Sequence, residues 1–279
     1  MSAADSHRFA YLGPVGTFTE AALNKITCDT DVKIPYANVT AALNAVRTGE
    51  VDYALVPIEN SVEGVVARTL DELATGDPLT ISGEVTLPVT FAFMTKPGAT
   101  EIQRIGTHPH AESQCRAYIA KNYPHAEIVP TSSTSAAAEL VSKGELDAAI
   151  ASSVAAEHFG LEILAESIGD NAGAVTRFIS AQKPGWIPEP TGHDRTSMAI
   201  FIDIDHAGAL LEILQVFAKR EVNLTFIQSR PTGRELGHYH FIIDVEGHIN
   251  DEAVGGSVAE LREICDDIRF LGSYPREVR

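Results

Sequence analysis

"RTGEVDYALVPIENS", Arg47 to Ser61, reads as one unit of an α/β sheet. A helix stops at Gly49, a Glu-x-Asp turn follows, and an apolar strand runs into the polar loop Glu59-Asn60-Ser61. "SKGELDAAIASSVAA", Ser142 to Ala156, takes the same course. Two readings of this echo stand side by side. Any helix-to-strand unit has this grammar. Alternatively, the first 180 residues or so hold two similar lobes with a cleft between them, the place where α/β proteins take small ligands.

The same alternation extends outward on both sides. "RFAYLG" leads through "GPVG" into "TFTEAALNKI". There Thr17 and Glu20 form a capping box, and Phe18, Ala21, Ala22 and Ile26 fall at helical spacing. "VKIPYA" precedes "NVTAALNAVRTG", with Val39, Leu43 and Val46 on one face. Further strand-like runs are "VTFAFMT", "IQRIGT", "AAIAS" and "VTRFISA". Strands separated by helices indicate an α/β sheet architecture.

"KPGWIPEPTGH", Lys183 to His193, has no periodicity and reads as a linker. Beyond it come the strand "TSMAIFIDI", the helix "HAGALLEILQVFAKREV", the strands "NLTFIQSRP" and "GHYHFIIDVEG", the helix "NDEAVGGSVAELREIC" and the strand "DIRFLGSYP". The order β-α-β-β-α-β is ferredoxin-like. The expected division is therefore residues 1–182, a linker at 183–193, and a second domain at 194–279.

Composition narrows the function. Of 279 residues, 44% are hydrophobic and 21% charged, the profile of a soluble globular protein. No run of about 18 apolar residues occurs, so no membrane span is expected. The start "MSAADSHRFAYLG" lacks the basic and apolar segments of a secretion signal. Cys28, Cys115 and Cys265 lie far apart, as expected in a reducing cytoplasm. The formal net charge of -17 argues against nucleic acid as a partner. An anionic ligand would have to be held locally, by helix N-termini and a few placed cations.

The stretch "GAVTRF", Gly173 to Phe178, sets a hydroxyl and a guanidinium in an apolar run. That pattern fits an edge strand with one polar face, or a strand beneath an anion pocket. Four loops rich in hydroxyls or amides open helices, at Asn60, at Thr107, at Thr131 to Ser135, and at Ser152 and Ser153. Singly each reads as an N-cap; together with Arg177 they suggest a site for a small polyanion. His108 with His110, and His238 with His240, lack a third and fourth ligand, so no metal site is expected. "GPVG" is not a dinucleotide fingerprint and no GxSxG elbow occurs. No cofactor is implied.

"GTFTEAAL", "VPIENSVEG", "THPHAESQC", "DNAGAVTRF" and "FIQSRPTG" follow one another in the order found in prephenate dehydratases, and the second domain resembles the ACT regulatory domain fused to them. The resemblance spans nearly the whole chain. It implies a two-lobed catalytic region of the periplasmic-binding-protein type (type II), followed by a ferredoxin-like βαββαβ ACT domain. It implies loss of CO2 and water from prephenate, giving phenylpyruvate on the way to phenylalanine. Arogenate, with an amino group in place of the ketone, is the alternative substrate, and a non-catalytic amino-acid sensor is an alternative of another class. By the resemblance Thr176 leads the catalytic residues, with Arg177 and Phe178. Asn60, Ser61, Thr107 and Gln114 fall on substrate-binding positions, and His110 stands where the family usually has Gln. Gly208, Ala209, Leu210, Gln228, Ser229, Arg230 and Pro231 fall on the segments that contact phenylalanine. Ala207 replaces the usual Pro, and Gln228 the usual Glu. A homodimer or homotetramer is implied as well.

Overall fold

The computed structural model describes residues 6–202, 206–231 and 239–277. His238, and Thr232 and Gly233 of the last motif, lie outside them, as do Asp203 and Ile204 of the strand expected after the linker. The chain begins β1 (Arg8–Leu12), α1 (Phe18–Asn24), β2 (Val32–Tyr36), α2 (Val39–Thr48), β3 (Tyr53–Asn60), β4 (Gly64–Val65), α3 (Ala67–Thr75) and β5 (Thr80–Pro88). It continues β6 (Ala92–Thr95), β7 (Arg104–Thr107), α4 (Pro109–Ser113), α5 (Arg116–Asn122), β8 (Glu127–Pro130), α6 (Thr134–Lys143), β9 (Ala148–Ala151), α7 (Ser153–Phe159), β10 (Glu162–Ala165) and β11 (Val175–Gln182). After the linker come β12 (Asp194–Phe201), α8 (Ala209–Lys219), β13 (Leu224–Pro231), β14 (Tyr239–Glu246), α9 (Glu252–Ile264) and β15 (Asp267–Pro275).

Two sheets form from the first eleven strands. One has the order β2-β1-β3-β11-β5, with β4 beside β3; the other has the order β10-β6-β9-β7-β8. Read from the opposite edge, the second sheet repeats the plan of the first: second strand, first strand, third strand, an inserted strand, then a last one. The inserted strand is exchanged in each case, β11 returning to the first sheet and β6 entering the second. The echo in the sequence falls on equivalent elements. Gly49 (φ 82) and Gly144 (φ 80) both end a helix in the left-handed region. In the first, Glu50 N–H donates to Ala45 O and Gly49 N–H to Val46 O; in the second, Glu145 N–H donates to Leu140 O and Gly144 N–H to Val141 O. Glycine takes that conformation without the clash that a Cβ brings. The strands that follow, β3 and β9, each hold the third place in their sheet.

The described residues cluster in two compact units. The first comprises the described residues up to Ala42, Leu55–Val65 and Val85–Phe178; the second comprises Leu43–Ala54, Val66–Glu84 and the described residues from Ile179 onward. In the first unit, Thr17 caps α1 as expected: its Oγ1 accepts from Glu20 N–H at 3.4 Å, while the Glu20 carboxylate takes the N–H of Gly16. Loops of the two sheets meet there. Ser152 Oγ donates to Gly16 O at 2.8 Å, and Ser135 Oγ donates to Val15 O. A Cβ on Gly16 (φ +78) would stand 2.8 Å from Ser135 Oγ and 3.0 Å from Ala155 Cα, so only glycine permits this approach.

In the second unit, the sheet order β13-β14-β12-β15 is that of a ferredoxin-like domain, with β12 antiparallel to β14 and β15. Side chains alternate across it. Met198, Ile200, Ile243 and Val245 pack with Ile213, Val216 and Phe217 of α8 and Val254, Val258 and Leu261 of α9. The neighbouring positions Ser197, Ala199, His240, Ile242 and Asp244 take the other face. Ser197 Oγ donates to Asp244 Oδ1 at 2.6 Å and lies 2.7 Å from Tyr274 Oη, so this buried carboxylate is satisfied. No helix among the described residues is long and apolar enough to cross a membrane.

Candidate functional site

Asn60 ends β3, and Thr176 is the second residue of β11, its neighbour in the sheet. Asn60 Nδ2 donates to Thr176 Oγ1 at 2.8 Å. The other end of the amide accepts from Val62 N–H at 2.8 Å and Glu63 N–H at 2.9 Å. These bonds fix which atom of Asn60 faces the threonine. The sequence "NSVEG" folds this way because an Asn side chain can close its own turn. A threonine hydroxyl has one proton and two lone pairs. Accepting from Asn60 uses a lone pair and leaves the proton to donate elsewhere. Thr176 is only 8% exposed, so that donor sits in a largely dry place.

The turn itself is tied to the same strand. Ser61 N–H donates to Val175 O, and Ser61 Oγ accepts from Val175 N–H, both at 2.9 Å. Ser61 thus clamps β11 beside Asn60. Glu63, which the sequence did not single out, reaches α4: its carboxylate accepts from Gln114 Nε2 at 3.1 Å and stands 3.5 Å from His110 Nδ1. Its signal was present in the Asn turn, which aims whatever follows it. His108 caps α4, its Nδ1 accepting from His110 N–H at 3.3 Å. Burial holds its pKa below the ordinary histidine value, the charge of His110 adds to this, and Glu63 opposes it.

The other expected residues fall differently. Thr107 is fully buried, and its Oγ1 donates to Ile150 O at 2.9 Å. Its only hydroxyl proton bridges β7 and β9, so Thr107 shapes the sheet where a donor to substrate was expected. Ser135 and Ser152 likewise spend their protons on backbone carbonyls. Phe178 is 2% exposed and belongs to the core. It shares a face of β11 with Thr176, while the pleat sends Arg177 to the opposite face. Cys115, behind α4, is buried, and burial pushes its thiol pKa up to about 12. Among the described residues no group of three or more His, Cys, Asp or Glu could hold a metal.

A second candidate site lies in the second unit. A cavity of about 190 Å³ is lined by Gly208, Ala209 and Leu210 at the start of α8, with His206, Tyr239 and Phe241 among its other walls. Gly208 (φ +100) begins the helix. Gln228, Ser229, Arg230 and Pro231 do not line it. They lie on β13, an edge strand, and Arg230 makes a two-point pair with Asp71 of α3, Nε to Oδ1 at 2.9 Å and Nη2 to Oδ2 at 2.8 Å. The guanidinium expected to contact the effector is thus held by Asp71 in this arrangement.

A two-sheet catalytic region with a polarised hydroxyl, followed by a ferredoxin-like domain with its own cavity, defines a class: an enzyme of small-molecule metabolism with a built-in regulatory domain. The prephenate dehydratase family model matches residues 9–185, and the ACT domain model matches residues 200–263. A prephenate dehydratase of Amycolatopsis methanolica is 44% identical over 270 residues, 96% of this chain and 88% of the relative. The solved prephenate dehydratase of Arthrobacter aurescens, in complex with L-Phe, is 48% identical with a TM-score of 0.90, over 96% of this chain and 90% of that one. A structure described as GqqA, a novel type of quorum-quenching acylase, is 29% identical with a TM-score of 0.86, over 97% of this chain and 98% of that one. The chain belongs to the prephenate dehydratase family.

Proposed function

We propose that this chain converts prephenate to phenylpyruvate, CO2 and water, with Thr176 as the group that assists departure of the ring hydroxyl. The observation that carries this reading is the Asn60–Thr176 bond, which leaves the threonine proton for a ligand. The reaction breaks the ring–carboxylate bond. Its electron pair moves into the ring, the C–O bond breaks, and the leaving oxygen takes up one proton. Aromatisation supplies the driving force. The protein therefore needs to orient the ring and to stabilise charge on the departing oxygen. A free threonine is a weak acid, so its part is hydrogen-bond donation as charge builds. Arg177 is assigned the side-chain carboxylate: the pleat sends it from the opposite face of β11, but it lies near the start of the strand, where a long side chain can reach round the end, and guanidinium and carboxylate pair by two parallel bonds. The departing carboxylate is met by a neutral donor, the Gln114 amide. A fixed cation would hold the ground state against loss of CO2.

In this reading residues 1–182 are the catalytic region, 183–193 the linker and 194–279 the ACT domain. The cavity at Gly208–Leu211 is assigned an amino-acid effector, phenylalanine; that the Arthrobacter relative was solved in complex with L-Phe supports the choice of ligand. The open edge at β13 pairs with a second copy, giving a homodimer or homotetramer. Acylase chemistry is not favoured by the hydroxyls of this region. The hydroxyls of Thr107, Ser135 and Ser152 bond to backbone carbonyls, Ser61 Oγ to Val175 N–H and Thr176 to Asn60, none to a histidine base.

The test is phenylpyruvate formation by the purified chain, with prephenate or arogenate, with and without phenylalanine. Turnover of prephenate that falls with phenylalanine is the expected result. Turnover of arogenate alone would reassign the substrate, and a folded chain that turns over neither would leave the sensor.

A further inference from the structure

Helix α3 is fastened to the sheet of the second unit by arginines from that sheet. Arg230 of β13 holds the Asp71 carboxylate at both oxygens. Arg269 of β15 donates to Leu73 O at 3.4 Å and to Gly76 O, satisfying carbonyls at the end of α3. Asp71 lies in the stretch matched by the prephenate dehydratase model and Arg230 in that matched by the ACT model. The pair therefore joins the two functional parts of the chain.

β14 connects this pair to the cavity. Tyr239 and Phe241 line the cavity. His240, between them, turns to the opposite face, in register with Arg230 and with Phe201. Its ring stacks on Phe201 at 5.1 Å between centroids and is fully buried. Neither ring nitrogen has a hydrogen-bond partner among the described residues. A buried polar ring without a partner is disfavoured, so an arrangement that supplied one would gain. The Asp71 carboxylate, already felt electrostatically by His240, is the acceptor at hand. At its other end α3 leads through Val65 and Gly64 directly into the turn of Asn60 and Glu63.

Resting on the regulatory reading above, we infer that α3 carries the effector signal. Occupancy of the cavity beside Tyr239 and Phe241 shifts the Asp71 carboxylate between Arg230 and His240. Helix α3 moves with it and resets the turn that holds Asn60 against Thr176. A contact that two arrangements compete for is what such coupling requires.

The experiment compares the full chain with Asp71→Asn and with the charge swap Asp71→Arg/Arg230→Asp. Three quantities are read: phenylalanine binding by calorimetry, phenylalanine inhibition of prephenate turnover, and hydrogen exchange of residues 67–75 with and without phenylalanine. Asp71→Asn is expected to keep basal kcat/KM within about twofold and to bind phenylalanine with near-normal affinity. Its half-inhibitory concentration should rise about tenfold or more, a loss on the scale of allosteric couplings. Phenylalanine should alter exchange at 67–75 in the unmodified chain and not in Asp71→Asn, and the swap, which keeps an ion pair but takes the carboxylate off α3, should stay unresponsive. Undiminished inhibition of Asp71→Asn would overturn the inference, as would loss of phenylalanine binding in step with inhibition. Unchanged exchange at 67–75 in the unmodified chain would also overturn it. That last readout needs no turnover, so it decides even if prephenate proves not to be the substrate.

Discussion

The two sheets of the catalytic region are built on one plan and finished differently. Their third strands follow helices that end at Gly49 and Gly144 with the same pair of hydrogen bonds. Their inserted strands differ in kind. In β6, Ala92-Phe93-Met94-Thr95 is buried throughout. In β11, Val175-Thr176-Arg177-Phe178 breaks the apolar run with a hydroxyl and a guanidinium. The third strands part ways as well. β9 is followed by Ser152, whose hydroxyl is spent on Gly16 O, while β3 ends at Asn60, whose amide is aimed at Thr176. The second sheet is an internal control. It shows that the plan folds without a guanidinium in the inserted strand: the one polar residue of β6, Thr95, ends the strand and spends its hydroxyl on Lys96 O, whereas Thr176 keeps its proton.

Variants can break this comparison or sharpen it. The largest effect is expected at Thr176. Thr176→Ala should lower kcat by at least about a hundredfold, the scale of losing one transition-state donor, with an unchanged melting temperature. Near-normal phenylpyruvate formation would make β11 no more catalytic than β6. Arg177→Lys should raise KM by roughly tenfold, since Lys cannot reproduce the planar fork, and leave kcat nearly unchanged; an unaltered KM would make Arg177 structural. Gln114→Ala should raise KM about fivefold, the loss of one neutral hydrogen bond, as steady-state kinetics would read. The smallest effects should be equal in the two lobes. Gly49→Ala and Gly144→Ala should each cost about 1 kcal/mol by urea unfolding, the penalty of a Cβ in the left-handed region. Unequal losses would show that the two helix ends are not equivalent.

Much of the architecture was legible because it rests on local rules. Glycine at a helix end, Thr17 with Glu20, and the change of grammar after Lys183 are all short-range signals. The crossing between sheets was not. "VTFAFMT" holds β6, yet the passage between sheets lies just before it: β5, unread in the sequence, ends in the first sheet at Pro88, and β6 joins the second at Ala92. Continuous hydrophobicity gives no sign of which sheet receives it. β8 and β10 were missed for a different reason. Each is four residues long with exposed positions, too short for alternation to show. In the site, Asn60 and Thr176 stand out as a polar loop and a hydroxyl in an apolar run, and the resemblance gives them their roles. Their bond joins residues 116 apart, and the Arg230–Asp71 pair spans 159. No local pattern encodes such partners, so the sequence could propose Arg230 and Thr107 as ligand contacts but could not show that Asp71 and Ile150 already hold them.

The central claim is that Asn60 acts through the Thr176 hydroxyl. A double-mutant cycle in kcat tests it most directly, with Asn60→Ala and Thr176→Val made singly and together. Asn60→Ala alone should lower kcat by about tenfold. If it acts through the hydroxyl, adding it to Thr176→Val should cost less than about twofold more. Losses that multiply in the double variant would contradict the account, because Asn60 would then be serving the reaction independently of Thr176.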